Sequence, residues 1–312
     1  MMVPLALMAL ALLAAGLAPR VLTRCSWPDR EPVLALWVWQ CVVGAVLLCC
    51  LLAMALSGAA AFEVVRSHVF AGAPRGVVEA YGTGRGAPWA GALSVLLACG
   101  GAWTGAMLAR EIRDARARRR RRRAELRARA PQLPGEKPES GDRLVVLEDE
   151  RPDAWWMPGG SGQLVITTGA LRRLKGRQLD AVVEHEQGHA RARHDWLLHC
   201  SAALATGFSR VPVFAGFRDQ VHRLVELAAD DVASRRHGRL TTALALVGLN
   251  EERGVFGPCP TALALVPQRV HRLLTPAQRL PVARRLRVTA VAALVPVVPV
   301  LVAFAPGLSA LR

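Results

Sequence analysis

The stretch QLDAVVEHEQGHARAR, residues 178–193, decides how the rest of the chain is read. Leu179, Val182, Val183 and Ala190 recur at helical spacing, so the periodicity predicts one amphipathic helix. Inside it stands His185-Glu186-Gln187-Gly188-His189, an HExxH pattern. Positions i and i+4 of a helix share a face, so both imidazoles can reach one metal ion. Glu186, one residue on, can approach a water on the metal rather than the metal itself. Zinc suits this set, because it accepts imidazole nitrogen and carboxylate oxygen and leaves one position to water in catalytic sites. It lowers the pKa of that water toward ~7, and a carboxylate base completes the activation. With eight His and fourteen Glu in the chain, the pattern is expected by chance on the order of 0.01 times. A surface helix with two solvated histidines is the competing reading.

Downstream, residues 218–236 predict a second helix, with Val221, Leu224, Val225, Ala228 and Val232 on its face and Gly238 beyond it. It carries Glu226-Leu227-Ala228-Ala229-Asp230. Glu226 is the candidate third ligand. Asp230, one turn on, can accept a ring N–H from a ligand histidine and so fix its tautomer. An isolated ExxxD is usually a polar face; its place after an HExxH favours ligation. Upstream, Leu144-Val145-Val146-Leu147 reads as a short strand. Residues 153–168 (DAWWMPGGSGQLVITT) read as two strands around a Pro158-Gly159-Gly160 turn. A helix follows over 169–174, capped by Thr168 and stopped by Gly176. Strands followed by helices predict a small α+β domain rather than a doubly wound sheet.

The rest of the chain is divided between grease and arginine. Of 312 residues 52% are hydrophobic, yet 40 Lys+Arg stand against 24 Asp+Glu, a net +16. That apolar fraction excludes global disorder, and seven dispersed cysteines exclude a disulfide scaffold. Residues 1–19, 32–62, 86–109 and 288–311 lack charged side chains and approach or exceed the ~20 residues a spanning helix needs. A cleaved signal peptide fits the first poorly, since its first charge, Arg20, follows the apolar run. Pro296, Pro299 and Pro306 predict a kinked fourth span. Residues 110–129 hold eleven arginines against Glu111, Asp114 and Glu125, a local +8 that is half the net charge. By the positive-inside rule this places the N-terminus outside, residues 110–287 in the cytosol and the C-terminus outside a cell membrane. Lacking interleaved aromatics, the arginines argue against nucleic acid and for a topology and anionic-lipid signal.

The expected organisation is a four-span α-helical membrane protein carrying a cytosolic, mainly helical α+β metalloprotease domain. Its parts are three spans over 1–109, a basic juxtamembrane segment and linker over 110–142, the protease domain over 143–287 and a fourth span over 288–312. Residues 196–217 are apolar for a cytosolic loop and predict a hairpin dipping against the bilayer.

With HEQGH, then an apolar stretch, then ELAADD, and spans on both sides, the chain resembles the BlaR/MecR-type integral-membrane metallopeptidases, with HtpX-type membrane proteases a close second. The match is close over GRQLDAVVEHEQGH at 176–189, and RVHRLL at 269–274 resembles the former group. The resemblance implies a gluzincin-like site: one zinc ion on His185, His189 and Glu226, with Glu186 as general base. It also implies that the strand bearing Ala154, Trp155 and Trp156 holds a peptide substrate by β-addition. The substrate it implies is a cytosolic transcriptional repressor, or membrane proteins under quality control on the HtpX pattern. A non-catalytic scaffold of the same fold is the alternative from another class, and the intact HExxH argues against it. The sequence ends at Arg312, so no built-in penicillin-binding sensor domain is expected. Tyr81, the one tyrosine, is assigned across the membrane, which leaves Arg235 and His237 as candidate oxyanion stabilisers. His194, His199, His222 and His271 are read as solvated or packed rather than ligating.

Overall fold

A computed structural model describes residues 2–81, 88–129, 144–157, 163–250, 260–276 and 279–311. The linker at 131–142 and the 158–160 turn lie outside these. Apolar composition and helix-forming residues give two long helices at once, α1 (Met2–Arg24) and α2 (Pro32–Ala61). A short 3-10 turn, Trp27–Asp29, joins them. Two short helices, α3 (Glu63–Val69) and α4 (Arg75–Ala80), precede α5 (Pro88–Arg129). Helix α5 runs on past residue 109, where the uncharged stretch ends. It continues through the arginine cluster, because arginine is a good helix former and pairs such as Glu111–Arg118 (3.2 Å) lie along it.

The strands β1 (Leu144–Leu147), β2 (Ala154–Met157) and β3 (Gln163–Thr167) form one sheet in the order β1-β3-β2. Strand β3 pairs parallel with β1 and antiparallel with β2, with Trp156 opposite Leu164. The sheet leads into helices α6 (Thr168–Arg173), α7 (Arg177–Arg191), α8 (His194–Gly207), α9 (Pro212–His237), α10 (Arg239–Asn250) and α11 (Pro260–Leu274). The cap of α6 is Thr167, not Thr168: its side chain accepts from the Ala170 N–H at 3.2 Å. Gly176 opens α7 at a positive φ of 51° rather than closing α6. Gly169 is required where it stands, since a Cβ there would lie 2.1 Å from the Glu150 carbonyl oxygen.

The chain ends in α12 (Val282–Leu294) and α13 (Val297–Ala310), bent by 45° at the break. Pro296 sits at that break, where it removes a backbone donor and crowds the preceding turn. Among the described residues, three helices could cross a membrane by length and composition, or four if the bent pair is one span.

The expected hairpin at 196–217 consists of α8 and the first turns of α9. Val213, Phe214, Phe217 and Val221 share one apolar cluster with Leu7 of α1 and Trp39 and Val43 of α2. Trp39 and Phe217 lie with ring centroids 6.3 Å apart. Helix α8 is held along α5 by Trp103 Nε1–H donating to the Gly207 carbonyl (2.9 Å) and by Arg119 pairing with Asp195 (2.9 Å). A second core, with Leu164 and Ile166 of β3, Ala170, Ala181, Val182 and Leu249, holds the sheet against α6, α7 and α10.

Candidate active site

Helices α7 and α9 build the site by lying against each other. A Cβ on Gly188 would meet Val232 and Ala229 of α9 at 3.5 and 3.6 Å, so the helices approach closely. Residues Ala181, Val182, Glu184, His185, Glu186 and Gly188 are all buried, which leaves the polar ones among them needing partners inside the protein.

The structure brings His185, His189 and Glu226 together, with ligand atoms within 4.8 Å of one another. The two Nε2 atoms are 3.2 Å apart, His189 Nε2 is 3.4 Å from Glu226 Oε1, and His185 Nε2 is 3.6 Å from Glu226 Oε2. Tetrahedral ligands at zinc bond lengths stand roughly 3.3 Å from each other, so the triangle has the dimensions of one face of such a site. Glu226 Oε2 is a buried atom with Arg269 Nη1 as its ion-pair partner at 2.8 Å, and Oε1 is the oxygen nearer His189. The donor set therefore fits a zinc ion.

Each histidine is backed on its far side. His185 Nδ1 lies 3.1 Å from Asp230 Oδ1. His189 Nδ1 lies 3.1 Å from Nδ1 of His194, a buried residue at the start of α8. Behind the carboxylates stands Arg269 of α11, 2% exposed. It donates from Nε and Nη2 to the two Asp230 oxygens at 2.8 and 2.7 Å, and its Nη1 is 2.8 Å from Glu226 Oε2. Burial would raise the pKa of Glu226 and Asp230, but Arg269 and the histidines outweigh it and hold both well below the usual carboxylate range. Burial alone would lower His185, yet Asp230 and Glu226 bring it up to about 9. His189 is driven down to about 3, chiefly by burial.

Glu186 points toward the sheet. Its Oε2 accepts the Trp156 backbone N–H at 2.9 Å, across the edge of β2 that β3 leaves open. Burial is the main cause that pushes its carboxyl up to about 7. Ala154, Trp155 and Trp156 thus stand on an edge strand beside the candidate base.

Arg235 and His237 are not brought to the cluster. Nine residues beyond Glu226, Arg235 lies half a turn around α9 and about 13 Å along it, where it lines a separate cavity with Asp231 and Arg272. His237 ends α9 about 16 Å from Glu226 along the axis, its carbonyl facing Arg177. His199 sits between Arg119 and Glu111, and His271 lines the cavity that holds Arg235.

Sequence reasoning missed Arg269 and His194. The signal for the first was present: Val266, Arg269, Val270 and Leu273 share one helical face, and a cation on an apolar face demands buried carboxylates.

Residues 114–245 match the family model described as Peptidase family M48, which supports a metallopeptidase. The match spans the sheet, α7 and the Glu226 helix. No curated protein and no solved structure matches the chain.

Proposed function

We propose that the chain is a membrane-anchored, zinc-dependent endopeptidase whose site faces the cytosol. The observation that carries this is the triangle of His185, His189 and Glu226 with Glu186 bound to an edge strand beside it. His185, His189 and Glu226 would hold the ion. When bound, zinc supplies a Lewis acid that acidifies water and polarises a carbonyl. Asp230 and His194 fix the rotation of the two imidazoles, so that each Nε2 is directed inward. The Trp156 N–H orients the Glu186 carboxylate, which takes the proton of the attacking water and passes it to the leaving amine. A peptide added along β2 would lie with its backbone in reach of that carboxylate.

Support for the membrane comes from exposed side chains. Leu12, Leu13 and Leu17 of α1, Leu96 of α5 and Leu301, Phe304 and Leu308 of α13 are all more than half exposed, a surface unsuited to water. The arginines after residue 109 support a cytosolic site by the positive-inside rule. The substrate is a cytosolic or membrane-associated protein; cleavage of a transcriptional repressor follows the resemblance to BlaR/MecR-type peptidases.

The test is cleavage of casein, or of the chain itself, by purified protein with and without Glu186→Gln. Loss of a general base should cost 10²–10⁴-fold in rate, on the order of what such groups contribute, while zinc content is retained. Equal cleavage by the variant would sink the enzyme reading.

A further inference from the structure

A cavity of about 580 Å³ lies apart from the metal cluster, walled by Arg30, Arg235, Arg239, Arg272 and Arg279 together with Asp29 and Asp231. Its charges are unevenly satisfied. Arg272 pairs with Asp231 at 2.8 Å and donates to the Asp29 carbonyl at 2.6 Å, while Arg223 pairs with the Asp29 carboxylate. Both acids are thereby neutralised. Arg30, Arg235, Arg239 and Arg279 make no ion pair with any described carboxylate. Arg239 is nevertheless fixed, since it donates to the carbonyls of Leu273 (3.0 Å), Arg272 and Thr275 and so caps the end of α11.

The position of the cavity selects among anions. Ser26, Asp29 and Arg30 belong to the connector between α1 and α2, and Arg279 stands just before α12. If those helices span, the cavity opens at the level where lipid headgroups lie. Its volume suits a headgroup-sized ligand, and guanidinium forks match phosphate oxygens two at a time. A basic recess between the ends of spanning helices is a recognised way of holding an anionic headgroup.

We propose that this cavity is a binding site for a phosphate-bearing anion, the headgroup of an anionic membrane lipid. The lipid source rests on the membrane reading above; the phosphate chemistry does not. The full chain, purified in detergent, would be titrated with dihexanoyl phosphatidylglycerol, dihexanoyl phosphatidylcholine and inorganic phosphate. Phosphatidylglycerol is expected to bind best. Arg235→Gln with Arg279→Gln should weaken it at least tenfold, and Arg279→Gln alone by a few-fold, with unfolding temperature as the check on structure. Arg120→Gln with Arg121→Gln, which removes the same charge from α5, should leave binding unchanged. Equal loss with the α5 pair, or no loss with the cavity pair, overturns the site. Arginine-dependent binding of inorganic phosphate with no preference for phosphatidylglycerol assigns the cavity to a soluble phosphate and overturns the lipid source. Extraction of the chain by carbonate wash would remove the membrane reading, yet leave the phosphate titration to judge the cavity.

Discussion

Two populations of arginine divide the molecule. Eleven between Arg110 and Arg129 account for half the net charge, and those from Arg110 to Arg121 stand largely in solvent on α5. One, Arg269, is 2% exposed and joins Asp230 and Glu226 behind the two histidines. In water a charge is screened and its loss is nearly free; in a protein interior an unpaired partner keeps its full desolvation cost. Burial, rather than number, sets what an arginine is worth to this fold.

The comparison can be broken most directly at Arg269. Arg269→Met leaves the buried carboxylate of Asp230 and the half-buried one of Glu226 without their cation and should destabilise the protein by about 3–5 kcal/mol, read from denaturant unfolding in detergent. A cost below roughly 1 kcal/mol, the range of an exposed pair, would erase the distinction. Next comes Asp230→Asn, which keeps the shape but weakens the acceptor for His185. Zinc affinity should drop on the order of 10–100-fold, measured by chelator competition.

Glu184 lies between the two extremes. Its carboxylate is buried, but its partners Arg191 and Arg236 are more than half exposed. Burial would raise its pKa, and the two arginines outweigh that and lower it. A depressed folded pKa means stability present above the ordinary glutamate range and lost as pH falls below about 4. Glu184→Gln should therefore cost about 1 kcal/mol at neutral pH and flatten the acid limb of the unfolding profile. An unchanged acid limb would show that the arginines do not act on this group. The smallest effect belongs to Arg120→Gln with Arg121→Gln, within about 0.5 kcal/mol of the parent. A larger loss would show that α5 depends on its charges for folding.

The same distinction explains what was legible in the sequence. The HExxH helix, the Glu226–Asp230 pair and the strand before them follow from spacing, because helix geometry converts spacing into shared faces. Apolar runs show the long helices for the same reason. The helical face of Arg269 announces a buried cation but does not name its partner 39 residues away, and His194, read as solvated or packed, gains its meaning only from the ring of His189. Arg235 and His237 were read as near Glu226 in sequence, but rotation and rise along α9 carry them away. The end of the apolar run at residue 109 does not end α5, because it marks a change of solvent, not of backbone.

That continuous helix has a mechanical side. At 42 residues, α5 is about 63 Å long, twice the ~30 Å of a bilayer's hydrocarbon core. Helix α8 is fastened to it at Trp103 and at Arg119, points roughly 24 Å apart along the axis. A tilt of about 10° about the Pro88 end would carry Arg119 sideways by roughly 8 Å. Helix α8 begins at His194, against the imidazole of His189. Contacts therefore run unbroken from α5 through α8 to the side chain that backs His189 of the candidate metal-binding cluster.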